Sequence, residues 1–282
     1  MGFNTPVQVA EAVANAGKTK ANLPFLQMLI LGIFAGCYIA FGAELATMII
    51  TGTADKLGLG MAKFMGGAVF SVGLMLVVIG GAELFTGNNL MTIGLSCGRL
   101  NAGGLIYNWV IVWIANLLGS LLLVYIMYKS GLWHTGGDAV GTTAINIAAG
   151  KVNLSWSAAF YRGIGCNWLV CLAVWLAFAA QDVVGKIFGI FFPIMAFVAS
   201  GFEHCVANMY FIPMGIVLKG DAAMANAVAA LGDKADLLTW GGFFINNMIP
   251  VTIGNIVGGA VFVGLAYFMV YVNQLPKPEC KD

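Results

Sequence analysis

One histidine, His204, lies inside a long apolar stretch of the chain, directly after Glu203. An imidazole titrates near physiological pH, so it can accept or lend a proton, and it can donate a hydrogen bond to an anion without a fixed charge. The other histidine, His134, falls in a glycine-rich loop, and no role is predicted for it. The position of His204 therefore predicts a polar contact, with proton exchange, to a small solute in an apolar environment.

Two glutamates share one local pattern, with a glycine two residues before and an asparagine five residues after. The pattern pairs Glu83 with Asn88 and Glu203 with Asn208. A carboxylate that lined the path of an anion would repel it, so we expect a structural role. We expect both glutamates to accept backbone N–H groups that a helix break leaves unpaired, and both asparagines to cap the half-helices that follow.

Further polar side chains interrupt apolar segments, where they are costly and are functional candidates. Glu44 and Arg162 are expected to pair with each other or with backbone at the breaks. Thr86 and Asn167 are uncharged hydrogen-bonding residues that a solute path could use. Asparagine and threonine also join helices within membranes, so both interpretations of Asn167 remain open.

Six apolar residues flank these polar positions. In a pore they would form dry constrictions that gate by dewetting; without a pore they would be core or lipid-facing side chains. They are Phe70, Leu74, Leu84, Phe85, Val170 and Phe197.

The composition shows which environment surrounds these residues. The chain has 282 residues, of which 60% are hydrophobic and 9% charged, with a mean hydropathy of +0.91. Soluble domains carry about 25% charged residues, so a soluble enzyme, a nucleic-acid-binding protein and a disordered chain are excluded. The net charge of +1 indicates no highly charged partner. The 6 cysteines show no CxxC spacing and are interpreted as small buried hydrophobes.

A membrane-spanning helix needs about 20 apolar residues. Six segments qualify, at 24–50, 61–96, 104–128, 157–180, 184–218 and 243–272. The second and fifth segments are too long for one straight helix, and each is interrupted at its glutamate pattern.

The interruptions belong to a longer internal repeat. The third and sixth segments share a spacing of two asparagines and a glycine, Asn108-x7-Asn116-x2-Gly119 and Asn247-x7-Asn255-x2-Gly258. The first and fourth segments share only Gly36-Cys37 and Gly165-Cys166. Matches in the same order indicate a duplication of three spans. Because each half has an odd number of spans, the second half must be inverted, with the two breaks facing each other across a conduit.

The predicted fold class is thus an all-α membrane protein with six transmembrane helices in a 3+3 inverted repeat, helices 2 and 5 being broken. The expected organisation is an N-terminal segment at 1–23 with an amphipathic helix that could gate the pore, a membrane domain at 24–273 and a short tail at 274–282. Apart from Arg162 within the fourth segment, the lysine and arginine residues are divided equally between the two sides, so charge does not decide the orientation.

Four sequence stretches, in the order in which that family has them, resemble the formate/nitrite transporter family. The sequence around His204 and Asn255 is most similar to the formate channels of the family. The four stretches are Phe197-Val-Ala-Ser-Gly-Phe-Glu-His204 with Ala207-Asn208-Met and Ile212-Pro-Met-Gly-Ile216, Gly81-x-Glu-Leu-Phe-Thr86, Asn167-x2-Val-Cys-Leu-Ala-Val-Trp175, and Ile249-Pro-Val-Thr-Ile-Gly-Asn255. One departure is Gly87-Asn88, where some members have Ser-Thr, and it leaves open how the first loop gates.

The resemblance implies an aquaporin-like protomer with its own pore, a homopentamer in the cytoplasmic (inner) membrane, and both termini in the cytoplasm. It places Thr86 and His204 in the middle of the pore and lets Asn167 hydrogen bond the permeant with His204. It assigns anion attraction near the outer vestibule to Lys151. It also implies a cytoplasmic constriction of Leu74, Leu84 and Phe85 and a periplasmic one of Phe70, Val170 and Phe197.

The predicted function is passage of formate, either passive or linked to a proton, through a protein surrounded by membrane lipid. Nitrite, hydrosulfide, acetate and lactate remain alternatives for the same pore. A water or glycerol pore is disfavoured because neither break holds the Asn-Pro-Ala sequence of that class. A membrane enzyme or haem carrier is disfavoured because haem needs two bracketing histidines and a catalytic metal needs a ligand cluster. No enzyme activity, cofactor, metal or nucleic-acid partner is expected.

Overall fold

The structure is a computed structural model that describes residues 2–272, so the predicted tail at 274–282 lies outside the described residues. Six helices in this range are long and apolar enough to cross a membrane. They are Phe25–Ile50 (span 1), Leu59–Gly80 (span 2), Ala102–Ser130 (span 3), Trp156–Ala179 (span 4), Val183–Ser200 (span 5) and Trp240–Tyr271 (span 6).

Shorter elements complete the chain. The α-helices are Pro6–Ala21, Thr53–Leu57, Phe85–Asn88, Met91–Ser96, Ala139–Val152, Cys205–Lys219 and Ala225–Ala230, and the 3-10 turns are Leu132–His134, Ala222–Met224 and Gly232–Ala235. Span 6 alternates α-helix at Trp240–Gly242 and Ile249–Ile256 with π-helix at Phe243–Met248, Val257–Leu265 and Phe268–Val272. A single β-bridge joins Phe3 to Ala180 within the described range.

Both long apolar segments are broken where their glutamates predict it. Span 2 ends at Gly80 and helix resumes at Phe85, while span 5 ends at Ser200 and helix resumes at Cys205. Gly81 has a φ of 85° and Gly201 a φ of 79°, a conformation that side chains with a Cβ rarely adopt and that ends each helix. The prediction of six spans with two broken helices is confirmed.

The two halves make the same contacts in the same order. Span 1 packs against spans 2 and 3, and span 4 packs against spans 5 and 6. Asn116 Nδ2 donates to the carbonyl of Gly32 at 2.8 Å, and Asn255 Nδ2 donates to that of Gly163 at 2.8 Å. These matched contacts support the inverted repeat.

One predicted match between the halves is wrong in register. The asparagine contacts pair Gly32 with Gly163, so Gly36 corresponds to Asn167 and not to Gly165. A Gly-Cys pair is too short to fix a register. The register is fixed instead by the backbone carbonyl that the equivalent asparagine of each half binds. Asn167 therefore stands where the first half has a glycine.

Two helices outside the six spans are also equivalent. The N-terminal helix (Pro6–Ala21) packs on Met91–Ser96 and span 4, and the connecting helix (Ala139–Val152) packs on Cys205–Lys219. The N-terminal helix begins with a capping box between Thr5 and Gln8. The apolar face of the N-terminal helix is buried against the membrane domain. We call the membrane face at this helix the N-terminal side and the opposite face the far side.

Candidate functional site

The two breaks bring Thr86 and His204 into contact at the centre of the fold. Thr86 Oγ1 lies 3.0 Å from His204 Nε2, and His204 is only 2% exposed. His204 also caps its own half-helix, because its Nδ1 accepts the N–H of Ala207 at 3.0 Å. A backbone N–H can only donate, so the neutral ring carries its proton on Nε2. The imidazole thus presents one N–H donor toward Thr86.

Asn167 lies beside this pair, and its side-chain amide donates hydrogen bonds to backbone carbonyl groups. Its Nδ2 donates to the carbonyl of Thr86 at 3.2 Å and to that of Asn255 at 2.7 Å. The Cys171 thiol lies 3.8 Å from Asn167 Oδ1. The structure therefore brings Thr86, His204 and Asn167 together, with Thr86 as the link. Contact of Asn167 with a permeant stays a prediction.

Two cavities approach the central pair from opposite sides. The N-terminal-side cavity, about 370 Å³, is lined by Leu74 and Leu84, and the far-side cavity, about 250 Å³, is lined by Phe70 and Phe197. His204 lines the far-side cavity. These four apolar side chains are buried, and their role as constrictions stays a prediction.

The aromatic contacts show how closely this region is packed. The rings of Phe70 and Phe197 meet edge to face with centroids 5.7 Å apart, and Phe197 stacks on His204 with centroids 5.8 Å apart. Phe85 packs against Trp109 at 6.2 Å. Phe85 and Val170 are buried but line neither of the two cavities. Their constriction role stays a prediction.

On the N-terminal side, Glu83 is held by a lysine and an asparagine. Lys20 Nζ lies 2.5 Å from Glu83 Oε1, and Asn88 Nδ2 donates to Glu83 Oε2 at 2.8 Å. Asn108 accepts from Asn88 at 2.8 Å and donates to the Lys20 carbonyl at 3.2 Å. The N-terminal helix thereby contributes a cation to the cavity wall.

The far side repeats this arrangement with equivalent residues. Lys151 Nζ lies 2.9 Å from Glu203 Oε1, and Asn208 Nδ2 donates to Glu203 Oε2 at 2.7 Å. Asn247 accepts from Asn208 at 2.7 Å and donates to the Lys151 carbonyl at 3.1 Å. Lys151, the predicted anion attractor, lines the cavity as half of an ion pair, with 16% of its side chain exposed.

The sequence did not single out Lys20, although a signal was present. The register that pairs Gly32 with Gly163 also pairs Lys20 with Lys151, each five residues before the first span of its half. Without that register the N-terminal segment has no visible relation to the loop before span 4.

The predicted roles of the glutamates and asparagines at the breaks need correction. Asn116 Oδ1 accepts the N–H of Phe85 at 2.9 Å, and Asn255 Oδ1 accepts the N–H of Cys205 at 2.9 Å. The freed N–H groups therefore go to neutral amide oxygens. Glu83 and Glu203 instead bind lysines, because a carboxylate buried at this depth needs a cation.

Asn88 and Asn208 do not cap the half-helices, since each lies inside a helix and binds a glutamate and another asparagine. The predicted contact between Glu44 and Arg162 is also absent from the described protomer. Tyr210 Oη donates to Glu44 Oε2 at 2.5 Å. Arg162 contacts the second helix break only through its backbone carbonyl, which accepts the N–H of Glu203 at 3.2 Å. No cluster of three metal-ligating side chains occurs among residues 2–272.

Inverted repeats with two broken helices that meet at a hydrogen-bonding pair define a membrane channel or transporter. The chain belongs to the formate/nitrite transporter family, whose model, described as "Formate/nitrite transporter", matches residues 7–269. It is an integral, multi-pass membrane protein.

Related proteins cover nearly the whole chain. A "Probable formate transporter" of Methanothermobacter thermautotrophicus is 46% identical over 96% of this chain and 98% of its own length. "Formate channel FocA" of Escherichia coli (strain K12) is 39% identical over 95% of each chain. A solved structure titled "Pentameric formate channel with formate bound" matches with a TM-score of 0.79 and 38% identity, covering 88% of this chain and 98% of that one.

Proposed function

We propose that this chain is a formate channel or transporter of the cytoplasmic membrane. It works as a homopentamer with one pore in each protomer and both termini in the cytoplasm. The observation that carries this proposal is the buried pair of Thr86 Oγ1 and His204 Nε2, placed between two separate cavities. The names of the relatives support formate as the permeant and five subunits as the assembly.

The lysine of each cavity draws the anion toward the pore. Lys151 on the far side and Lys20 on the N-terminal side each carry a positive charge at a cavity wall, and each is neutralised by a glutamate. Because the glutamate cancels most of the lysine's charge at a distance, the ammonium attracts an anion only at short range. Formate therefore binds weakly at either mouth and can leave it again.

The apolar walls then make dehydration the main barrier. A carboxylate that enters the region of Phe70, Phe197, Leu74 and Leu84 loses its water shell, which costs far more for an anion than for a neutral acid. The Nε2–H of His204 and the hydroxyl of Thr86 replace part of the lost hydrogen bonding. Passage together with a proton lowers the barrier further.

His204 can lend a proton only from its doubly protonated ring. The second proton would occupy Nδ1, which already accepts the Ala207 N–H. The resting ring is therefore neutral, and lending requires release of that cap. The neutral Nε2–H donor is the form that receives the permeant. After cap release, Nδ1 takes up a proton from solvent in the far-side cavity, which His204 lines, and Nε2 gives its proton to the carboxylate, which leaves a neutral ring and formic acid.

Uptake by proteoliposomes tests the proposal. Labelled formate should enter wild-type vesicles faster when the outside is acidic. His204→Gln keeps a neutral side-chain donor but cannot hold a proton, so it should retain formate passage and lose acceleration by acid. His204→Ala should lose both. Unchanged pH dependence in His204→Gln would refute proton lending.

The same assay decides between formate and the other small anions. Nitrite, hydrosulfide, acetate and lactate are added in turn as unlabelled competitors at equal concentration. Formate should compete most strongly with labelled formate. Stronger competition by another anion would make that anion the preferred substrate of the same pore.

A further inference from the structure

Arg162 carries a charge within span 4 that no described residue of the protomer neutralises. Arg162 is exposed, and its guanidinium forms no hydrogen bond, ion pair or ring contact with any residue between 2 and 272. Arg162 lies in the second turn after Trp156, about 9 Å into the helix. Arginine at such a depth is costly and is normally paired. Its partner must therefore lie outside residues 2–272 of this protomer.

Glu44 lies at the matching depth on span 1. Span 1 ends at Ile50 on the far side, where span 4 begins, so Glu44 also lies about 9 Å from the helix end. Glu44 is partly exposed, and Tyr210 Oη fixes its Oε2. No other described residue hydrogen bonds its carboxylate. The second oxygen can therefore accept a further donor.

The repeat architecture does not require either charge. In the register that pairs Gly32 with Gly163, Arg162 corresponds to Leu31 and Glu44 corresponds to Trp175. The equivalent positions at the N-terminal side are thus apolar, and the same helix packing forms there without an ion pair. One acid and one base therefore lie at the same depth, on opposite halves of the chain.

We propose that Arg162 of one protomer forms an ion pair with Glu44 of the next protomer around the ring. The inference rests on the pentamer of the proposed function. Closed rings join different faces of neighbouring copies, so a residue of span 1 can meet a residue of span 4 of the adjacent copy. A guanidinium can bind the free carboxylate oxygen in a water-poor interface, which neutralises both charges.

Disulfide cross-linking tests the contact directly. Glu44→Cys and Arg162→Cys are combined in one chain, and the purified protein is oxidised and separated without reductant. Covalent dimers up to pentamers should form, because each link joins two copies. The two single-cysteine variants serve as controls for the native thiols and should stay monomeric on the gel. Absence of the ladder in the double variant would count against the pair.

Charge reversal tests the energy of the same contact. Glu44→Arg and Arg162→Glu alone should each lower the temperature of pentamer dissociation by about 5–10 °C. The combined variant, with both charges reversed, should regain most of that loss. Lys129→Gln, at an exposed lysine near the far end of span 3, is the control and should have no effect. Additive losses in the combined variant would overturn the proposal.

Native mass spectrometry separates this proposal from the one on which it rests. Wild-type protein of a mass other than five subunits would refute the pentamer itself. A five-subunit mass without a ladder or charge-reversal rescue would refute only the ion pair. Loss of bound anionic phospholipid in Arg162→Gln, with unchanged pentamer stability, would assign the guanidinium to a lipid phosphate and would also refute the pair.

Discussion

Thr86 Oγ1 lies 3.0 Å from His204 Nε2, yet the two residues occupy non-equivalent positions of the inverted repeat. Because Glu83 corresponds to Glu203, the counterpart of His204 is Leu84 and the counterpart of Thr86 is Val206. The backbone frame around the breaks is therefore duplicated, whereas the polar pair that it positions occurs once. Each half supplies one member of the pair.

The hydroxyl of Thr86 can be removed without a change of shape. Thr86→Val should slow formate uptake about tenfold, because the Nε2–H of His204 and the permeant both lose a partner worth about 1.4 kcal/mol. Thr86→Ser keeps the hydroxyl and is the control. Initial uptake rates in proteoliposomes, normalised to folded protein, measure the effect. Equal rates for the valine and serine variants would contradict the role of the hydroxyl.

Because Gly259 has no side chain, the space beside it is free for the side chain of Asn167. A Cβ on Gly259 would lie 2.4 Å from Asn167 Nδ2 and 2.8 Å from Cys171 Sγ. Gly259→Ala should therefore destabilise the protein by about 1–3 kcal/mol through overpacking. The double variant Gly259→Ala/Asn167→Ala should regain only part of the lost thermal stability, because it removes the shortest contact but leaves those with Cys171 Sγ and Asn89 Cβ, both at 2.8 Å.

Gly60→Ala is the matched control for Gly259→Ala. It lies in a helix with open space around the position of a Cβ, and its melting temperature should not fall. Equal stability of Gly259→Ala and wild type would show that Asn167 moves freely, and the observed packing would then not fix its amide.

Lys20 should stabilise the protein through Glu83. Lys20→Gln leaves the carboxylate, with a side chain only 7% exposed, without its cation and should lower the melting temperature by about 5 °C. Lys20→Gln/Glu83→Gln replaces the ion pair by two amides and should recover most of the loss. Lys18→Gln, on the exposed face of the same helix, is the control. If Lys20→Gln and Lys18→Gln melt alike, the pair contributes no stability.

Asp221 should make stability depend on pH at the far-side surface. Tyr128 Oη donates to Asp221 Oδ2 at 2.8 Å, and this bond, with that from the Ala223 N–H, holds the pKa of Asp221 below its ordinary value of 3.8. A lowered pKa in the folded state stabilises the protein above pH 3.8, and this contribution is lost as the pH falls through the folded-state pKa.

Melting curves between pH 3 and pH 6 should therefore show a smaller loss of stability on acidification in Asp221→Asn than in wild type. Tyr128→Phe should behave like Asp221→Asn, because it removes the donor. Asp233→Asn, whose carboxylate forms no side-chain hydrogen bond in the described part of the chain, serves as the control. Parallel pH profiles for wild type and Asp221→Asn would contradict the link.

Local patterns predicted most of the architecture. The apolar segments fix six spans, and Gly-x-Glu marks each break because glycine permits the left-handed turn that ends a helix. His204 and Thr86 could be placed because both lie in those breaks. The duplication predicts that the breaks face each other across a conduit, but it does not predict the direct hydrogen-bond contact that the structure shows between the two side chains.

Contacts between distant segments could not be predicted in the same way. Lys20 pairs with Glu83 only because the N-terminal helix docks on the membrane domain, and no local pattern reveals that docking. The binding of backbone N–H groups by Asn116 and Asn255 instead of glutamates depends on how closely spans 3 and 6 approach the breaks. The Gly36 register failed for the same reason, since side-chain reach determines it.

The single occurrence of the Thr86–His204 pair restricts how this protein could have arisen. A symmetric dimer of the first half alone would bring together two copies of Thr86 and Leu84, and a dimer of the second half would bring together two copies of Val206 and His204. Neither ancestor-like assembly could form a mixed threonine–histidine bond. The present centre therefore requires two halves that have diverged, and joining them in one chain ensures that unlike halves always meet.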